Sequence, residues 1–372
     1  MAREKFLVSL ILTILPGLPI CTLAERSVLR SAAAQGETEE TSNTGVFGVP
    51  SVGYVFEPEA LALRPILGTP GAAVFGSRVE LGLNLRRAWV SPRQNFALAE
   101  VAETPEVLLL PLQPGTQQAK TLSSLPVGAD QVAVSPTGSA MAFYHRIDQQ
   151  LRIVSGLPDS AEIRPGINLS DLPGRLSSLA VSDDGLVSLV AITDGETGAI
   201  YLVQAGEKRV VALCRDVRAM TFLANSLNAA MADTAANEVR LLNNVTGAAT
   251  SQILAEETRG ISHPLAVQVS TDNSRIFCLN SGVGAITTVD LNSGSLTHLA
   301  IGGSASRLQR LGGDVFQLTG DLRQSTLLFD AESPEARIVF VPSVNFGGAG
   351  GRSLLRDQVP EERQRLPLPK RD

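Results

Sequence analysis

The sequence predicts an all-β ring of small sheets, a β-propeller. Two observations carry the prediction: a turn signature that recurs about every 44 residues, and short β-branched runs that refill each interval. Aligned on a Val-Ser-(Pro/Asp/Thr)-x-(Gly/Asn)-like turn, the chain has anchors at Ser91, Ser135, Ser182, Ala224, Ser270 and Gly312. An apolar run enters each turn, as in "QVAVSPTGSAMAFY", "SLAVSDDGLVSLVA" and "AVQVSTDNSRIFCL". A third and a fourth strand follow, as in "AIYLVQAGEKRVVAL" and "AITTVDLNSGSLTHLAI". Val, Ile, Leu and Thr fill these runs, while Gly, Asn, Asp and Pro break them. No segment sustains a helical period, which argues against a helical solenoid of the same repeat length.

Six full units run from about Arg87 to Ser343, and residues 46 to 86 span close to one further period. "GYVFEPEALALRPIL" there matches the third and fourth strands of the other units. It is expected to belong to an incomplete blade that brings the count to seven, with six blades plus an N-terminal hairpin as the alternative. Closing the ring removes the sheet edges that would recruit other chains. The stretch "GTPGAAVFGSRVELGLNLR" is longer than other links between units. It is expected either to cap the central funnel or to complete a blade. No linker separates the units, so residues 46–343 form one domain.

The ends carry a different composition. Arg3 and Lys5 followed by "FLVSLILTILPGLPICTLA" have the charged-then-apolar form of a secretory signal, interrupted by Pro16, Gly17 and Pro19. Residues 1–24 are therefore expected to be a signal peptide, cleaved after Ala24 or alternatively Ala34. Residues 25–45 are read as a flexible acidic spacer, and residues 344–372 as a disordered tail. The mature chain is placed outside the cytoplasm, periplasmic or extracellular, with no membrane insertion. Only Cys214 and Cys278 follow that signal, both in apolar runs that suit buried free thiols. A net charge of −6 and scattered basic residues argue against a nucleic-acid partner.

Residues 276–303, "IFCLNSGVGAITTVDLNSGSLTHLAIGG", resemble the YVTN-type propeller repeat. Phe277 stands near its aromatic position, Asn280 at its Asn, Val289-Asp290 at its Val/Ile-Asp and Ile301-Gly302 at its close. The turns "SPTG" and "SDDG" resemble the Ser-Pro-Asp-Gly turn of WD-like bacterial propellers, although Gly-His and Trp-Asp pairs are missing. The resemblance implies fold and export and transfers no functional residue.

The motifs that could carry chemistry resolve into turns. "GVGAIT" begins like a dinucleotide fingerprint, but Thr287 takes the third glycine position and no helix follows to hold a phosphate. "GGSAS" lacks the strand-to-helix turn of a nucleophile elbow. Asp183, Asp184, Asp194 and Glu196 are split by an apolar strand that sends the pairs to opposite rims, so they form no calcium loop. No catalytic residue, metal ligand or cofactor is assigned. One rim should gather the loops between second and third strands and between blades. Its candidates for contacting a partner are His145, Arg146, Arg218, Arg259 and His263. The expected function is a non-enzymatic scaffold that presents this loop-rich face to another protein. A lactonase-like propeller hydrolase with its site in the funnel is the alternative.

Overall fold

The computed structural model describes residues 50–113, 118–320, 322 and 325–343. The expected signal peptide, spacer and C-terminal tail lie outside them. Within them the chain forms seven small antiparallel sheets in a ring, a seven-bladed β-propeller with a single 3₁₀ turn at Glu257–Arg259. The alternation and turn chemistry of each unit are enough to set its register, because slipping one residue would turn every apolar side chain outward.

Blades 2 to 7 each begin with an inner strand: Leu85–Val90, Gln131–Val134, Arg175–Val181, Val217–Phe222, Pro264–Val269 and Gln309–Arg310. These match the innermost runs expected from the anchors, which close the turn into the second strand. The second strands are packed on both faces; in "FALAEV", "AMAFYH" and "AAMAD" every residue is buried. Alanines such as Ala97, Ala99, Ala140, Ala142 and Ala230 let neighbouring blades approach closely. Larger side chains fill the wedges between blades. Phe277, Phe316 and Phe329 pack as a triangle across blades 6 and 7, with ring centroids 5.3 to 5.9 Å apart. Each such buried side chain contributes roughly 1.5–3 kcal/mol. The outer strands, such as Glu207–Cys214, are largely solvated.

Blade 1 differs from the rest. It consists of β1 (Ser51–Glu57), β2 (Ala62–Leu67) and β3 (Val74–Phe75), in the order β1-β2-β3. β1 starts beside the anchor turns, where the Val52 carbonyl accepts the Gly312 N–H at 2.9 Å, and runs to the opposite rim. That is the course of a second strand. "GYVFEPEALALRPIL" therefore supplies the second and third strands, not the third and fourth. Among the described residues blade 1 has no inner strand, and β1 pairs only with β2. Among the described residues blades 1 and 7 meet by side-chain packing and share no strand pairing. Val52, Val55, Ile66 and Ala73 of blade 1 meet Leu311, Val315, Leu328 and Val341 of blade 7.

The long link after blade 1 does not cap the funnel. Its apolar residues alternate, and Val79, Leu81 and Leu83 pack with Tyr54 and Phe56 between blades 1 and 2. The Val79 N–H donates to the Leu63 carbonyl at 2.9 Å, which holds the link along the third strand. Arg78 from the same link reaches Glu57 at 3.4 Å. Burying three apolar side chains outweighs exposing them across a water-filled opening.

Candidate functional site

The rim opposite the anchor turns is held by a repeated device at the end of the second strand. A polar residue there terminates an apolar run, is buried, and fixes a neighbouring segment of backbone. Glu100 accepts the Gly128 N–H at 2.8 Å and pairs with Arg87 at 2.8 Å. Asp233 accepts the N–H groups of Arg215 at 2.8 Å and Asp216 at 3.0 Å. Asn280 accepts from Ser262 N–H at 2.8 Å and donates to the Gly260 carbonyl at 2.7 Å. Thr193 donates its hydroxyl to the Arg215 carbonyl at 3.1 Å. In blade 1, Glu57 is fully buried and takes two donors from Arg64, at 3.0 and 2.8 Å. Glu100, Asp233, Asn280 and Thr193 satisfy loop backbone directly, and Glu57 does so through Arg64, which donates to the Gly76 carbonyl at 2.7 Å.

His145 is one of these pins. It ends the second strand of blade 3 and is 8% exposed, with Nε2 3.3 Å from the Pro126 carbonyl. Arg146, next along, is displayed: its guanidinium faces solvent and lies 3.5 Å from Asp130. Ile147, at the tip of the same turn, is 99% exposed. Arg218 pairs with Asp216 at 2.8 Å, and with Asp194 these residues line one recess of about 560 Å³ at the edge of blades 4 and 5. Arg259 donates to the carbonyls of Leu254 and Gly294, both at 2.9 Å, so its charge staples the loop before blade 6. His263 has a left-handed backbone with φ of 48°. Its N–H donates to Asn237 Oδ1 at 2.9 Å, and its carbonyl accepts the Ser281 hydroxyl at 2.6 Å. Four of the five, His145, Arg146, Arg218 and His263, thus lie at this rim without converging on one centre, whereas the Arg259 guanidinium reaches down the blade to the turn after Asp290, on the anchor-turn side.

The anchor turns make the opposite ring. Asp183 accepts the Thr137 N–H at 2.8 Å and hydroxyl at 2.6 Å through one oxygen, and the Asn225 N–H at 2.7 Å through the other. One carboxylate therefore ties blades 3, 4 and 5. Asn273 and Ala224 exchange two bonds between blades 5 and 6, and Asp314 accepts the Thr271 N–H at 2.8 Å. As expected, Asp183 and Asp184 sit at this rim and Asp194 and Glu196 at the other, one strand length apart.

An axial channel of about 950 Å³ joins the two rims. Its wall includes the aliphatic side chains of Ala88, Val90, Ala133 and Val134 from the innermost strands. It also includes Arg93, Arg218, Arg307 and Arg310 and, among the described residues, no Asp or Glu. Only Arg218 was singled out from sequence. The seventh inner strand is just two residues long, so its run "SRLQRLGG" shows none of the apolar alternation that marks the others.

No known family profile matches the chain, and no curated protein matches it. Solved structures do. A functionally unknown protein from Desulfotomaculum acetoxidans DSM 771 aligns with a TM-score of 0.53 and 13% identity, covering 79% of this chain and 99% of that one. The nidogen/laminin complex aligns at 0.44 with 10% identity, over 66% of this chain and 92% of that one. Hydrazine synthase of Kuenenia stuttgartiensis aligns at 0.43 with 13% identity, over 83% and 99%. No match supports the YVTN- or WD-like repeat type. At 13% identity the first of these likenesses bears on the fold alone, and that neighbour itself has no known function.

Proposed function

We propose that the protein is an exported binding propeller that presents the pinned rim to a protein partner. The observation that carries this reading is the set of buried polar residues at the ends of second strands. They hold the rim loops in fixed positions, and a preorganised face loses less ordering entropy on binding. Onto that face project Arg146 and Ile147 of blade 3, Arg218, and, at blade 6, His263, Leu265 and Val283. Arginine beside exposed apolar side chains is the composition of interface centres. Export rests on the signal-like residues 1–24, with residues 46–343 as the binding domain. No helix among the described residues is long and apolar enough to cross a membrane.

The channel lining favours binding over hydrolysis. It offers serines and threonines, but among the described lining residues there is no His, Asp, Glu, Lys, Tyr or Cys to accept a proton. The test is capture of a partner by the intact chain from its own envelope fraction. The same protein should be recovered by wild type and by Val210→Asp on an outer strand, and lost with the Arg146→Glu/Ile147→Asp double variant. Recovery of no partner, with turnover of lactone or ester substrates, overturns the reading. A reporter active only outside the cytoplasm, fused after residue 343, tests export.

A further inference from the structure

Of the four arginines that line the channel, two are already committed. Arg310 bonds Asp314 at 2.7 Å and also donates to the carbonyls of Gly313 and Val269. Arg218 is held by Asp216. The other two have no carboxylate partner among the described residues. Within that set Arg307 meets only Gln309 Oε1, at a long 3.4 Å, and Arg93 makes no hydrogen bond or ion pair. The Arg307 guanidinium lies where a Cβ on residue 320 would stand, so Gly320 leaves the room that it fills. Channel water reaches Arg307, yet the surrounding wall displaces enough solvent to lower its pKa from the usual guanidinium value. It stays cationic and incompletely solvated, which strengthens its attraction for an anion.

The sign of this charge runs against the rest of the molecule. The chain carries −6 overall, whereas the described residues of the channel wall include four arginines and no carboxylate. A cleft of one sign with low-dielectric walls concentrates the opposite charge inside it. Its volume of about 950 Å³ is suited to a small organic molecule.

We propose that the axial channel is a binding site for a small polyanion, whose carboxylate or phosphate groups are held by the guanidinium groups of Arg93 and Arg307, neither of which has a carboxylate partner among the described residues. Arg93 sits on the anchor turn of blade 2, at one end of the channel. Arg307 leads into the inner strand of blade 7 from the opposite rim, so a ligand engages both only if it spans the channel, and a compact anion engages one of them. The site is independent of the protein partner proposed for the rim, and either can fail without the other.

Trp89 is the sole tryptophan and lines this channel, so its fluorescence reports occupancy. The full chain is titrated with citrate and, separately, with pyrophosphate, at matched ionic strength; neutral triethyl citrate is the control. Saturable one-to-one binding is expected, confirmed by calorimetry, and the tighter probe tells carboxylate from phosphate. At least one of Arg307→Gln and Arg93→Gln should weaken it about tenfold or more, the worth of one charge-assisted hydrogen bond, since a compact probe need reach only one guanidinium. Arg209→Gln on an outer strand should leave it unchanged. Should either channel variant fail to fold, wild-type affinity is compared at 50 and 300 mM salt and should fall steeply. No saturable signal from either anion, equal binding of triethyl citrate, or affinity indifferent to both substitutions or to salt overturns the proposal.

Discussion

The side-chain amide of Gln94 accepts the backbone N–H of Tyr54 at 2.7 Å, on the edge of β1 away from β2, where no described strand pairs with it. The same amide donates to the Ser91 carbonyl at 3.1 Å, so one side chain in the anchor turn of blade 2 caps the neighbouring sheet. Gly53 beside it leaves too little space for any other residue, since a Cβ would meet Gln94 Oε1 at 2.8 Å. Gln94→Ala should cost about 1 kcal/mol, the worth of a neutral hydrogen bond. It should also speed amide exchange at Tyr54. Unchanged exchange there would mean that something else covers this edge.

Asp183 carries more, because it joins three blades at once. Asp183→Ala should destabilise the ring by about 2–4 kcal/mol in denaturant unfolding, given three lost bonds to an ionised acceptor at a partly exposed site. Asp183→Asn keeps one acceptor oxygen and should recover roughly half of that loss. Equal unfolding midpoints for Asp183→Ala and wild type would remove the inter-blade role.

The two cysteines give a test of packing. Burial pushes both thiols up to about 12, with the Asp233 charge adding to the shift at Cys214. At pH 8 the thiolate fraction is then on the order of one in ten thousand. Peptide mapping after iodoacetamide should find Cys214 and Cys278 unmodified in the folded protein and both modified in denaturant. Rapid native labelling of either would contradict the tight interface between blades 4 and 5 or 5 and 6.

An acid titration isolates one anchor turn. Asp272 is held down to about 2, first by the Ser270 hydroxyl, then by the N–H and hydroxyl of Ser274. A carboxyl near 3.9 in the unfolded chain and lower in the folded one stabilises the fold above the unfolded value. That contribution is lost as pH falls through the folded value. The stability gap between wild type and Asp272→Ala should therefore be constant above about pH 5 and close between about pH 4 and pH 2. The gap is small, because the side chain is exposed and screened. A gap that widened on acidification would contradict the assignment.

The anchors at Ser91, Ser135, Ser182 and Ser270 made the repeat, the inner strands and the seventh blade legible. Where an anchor was missing, legibility failed. Among the described residues blade 1 has no inner strand and therefore no anchor turn, so β1 and β2 were placed one position too far out. The alternation of Val79, Leu81 and Leu83 was visible, but nothing local distinguishes a link packed between blades from one crossing a funnel. His145 was legible as a rim residue. Its role as a pin was not, since the polar end of "AMAFYH" gains its meaning only from the Pro126 carbonyl across the blade. Arg93 and Arg307 came into the channel through the ring's geometry, which brings together residues more than 200 positions apart.

The central claim is that a partner docks on the pinned rim, and photo-crosslinking tests it most directly. A photoreactive residue is placed singly at Ile147 and Val283 on the rim, at Val210 and Phe340 on outer strands, and at Leu186 and Leu227 on the anchor-turn face. Irradiation in the native envelope should give one discrete adduct from the rim positions and none from the others. Adducts from the outer strands or the anchor-turn face alone, or from no position, would contradict the account.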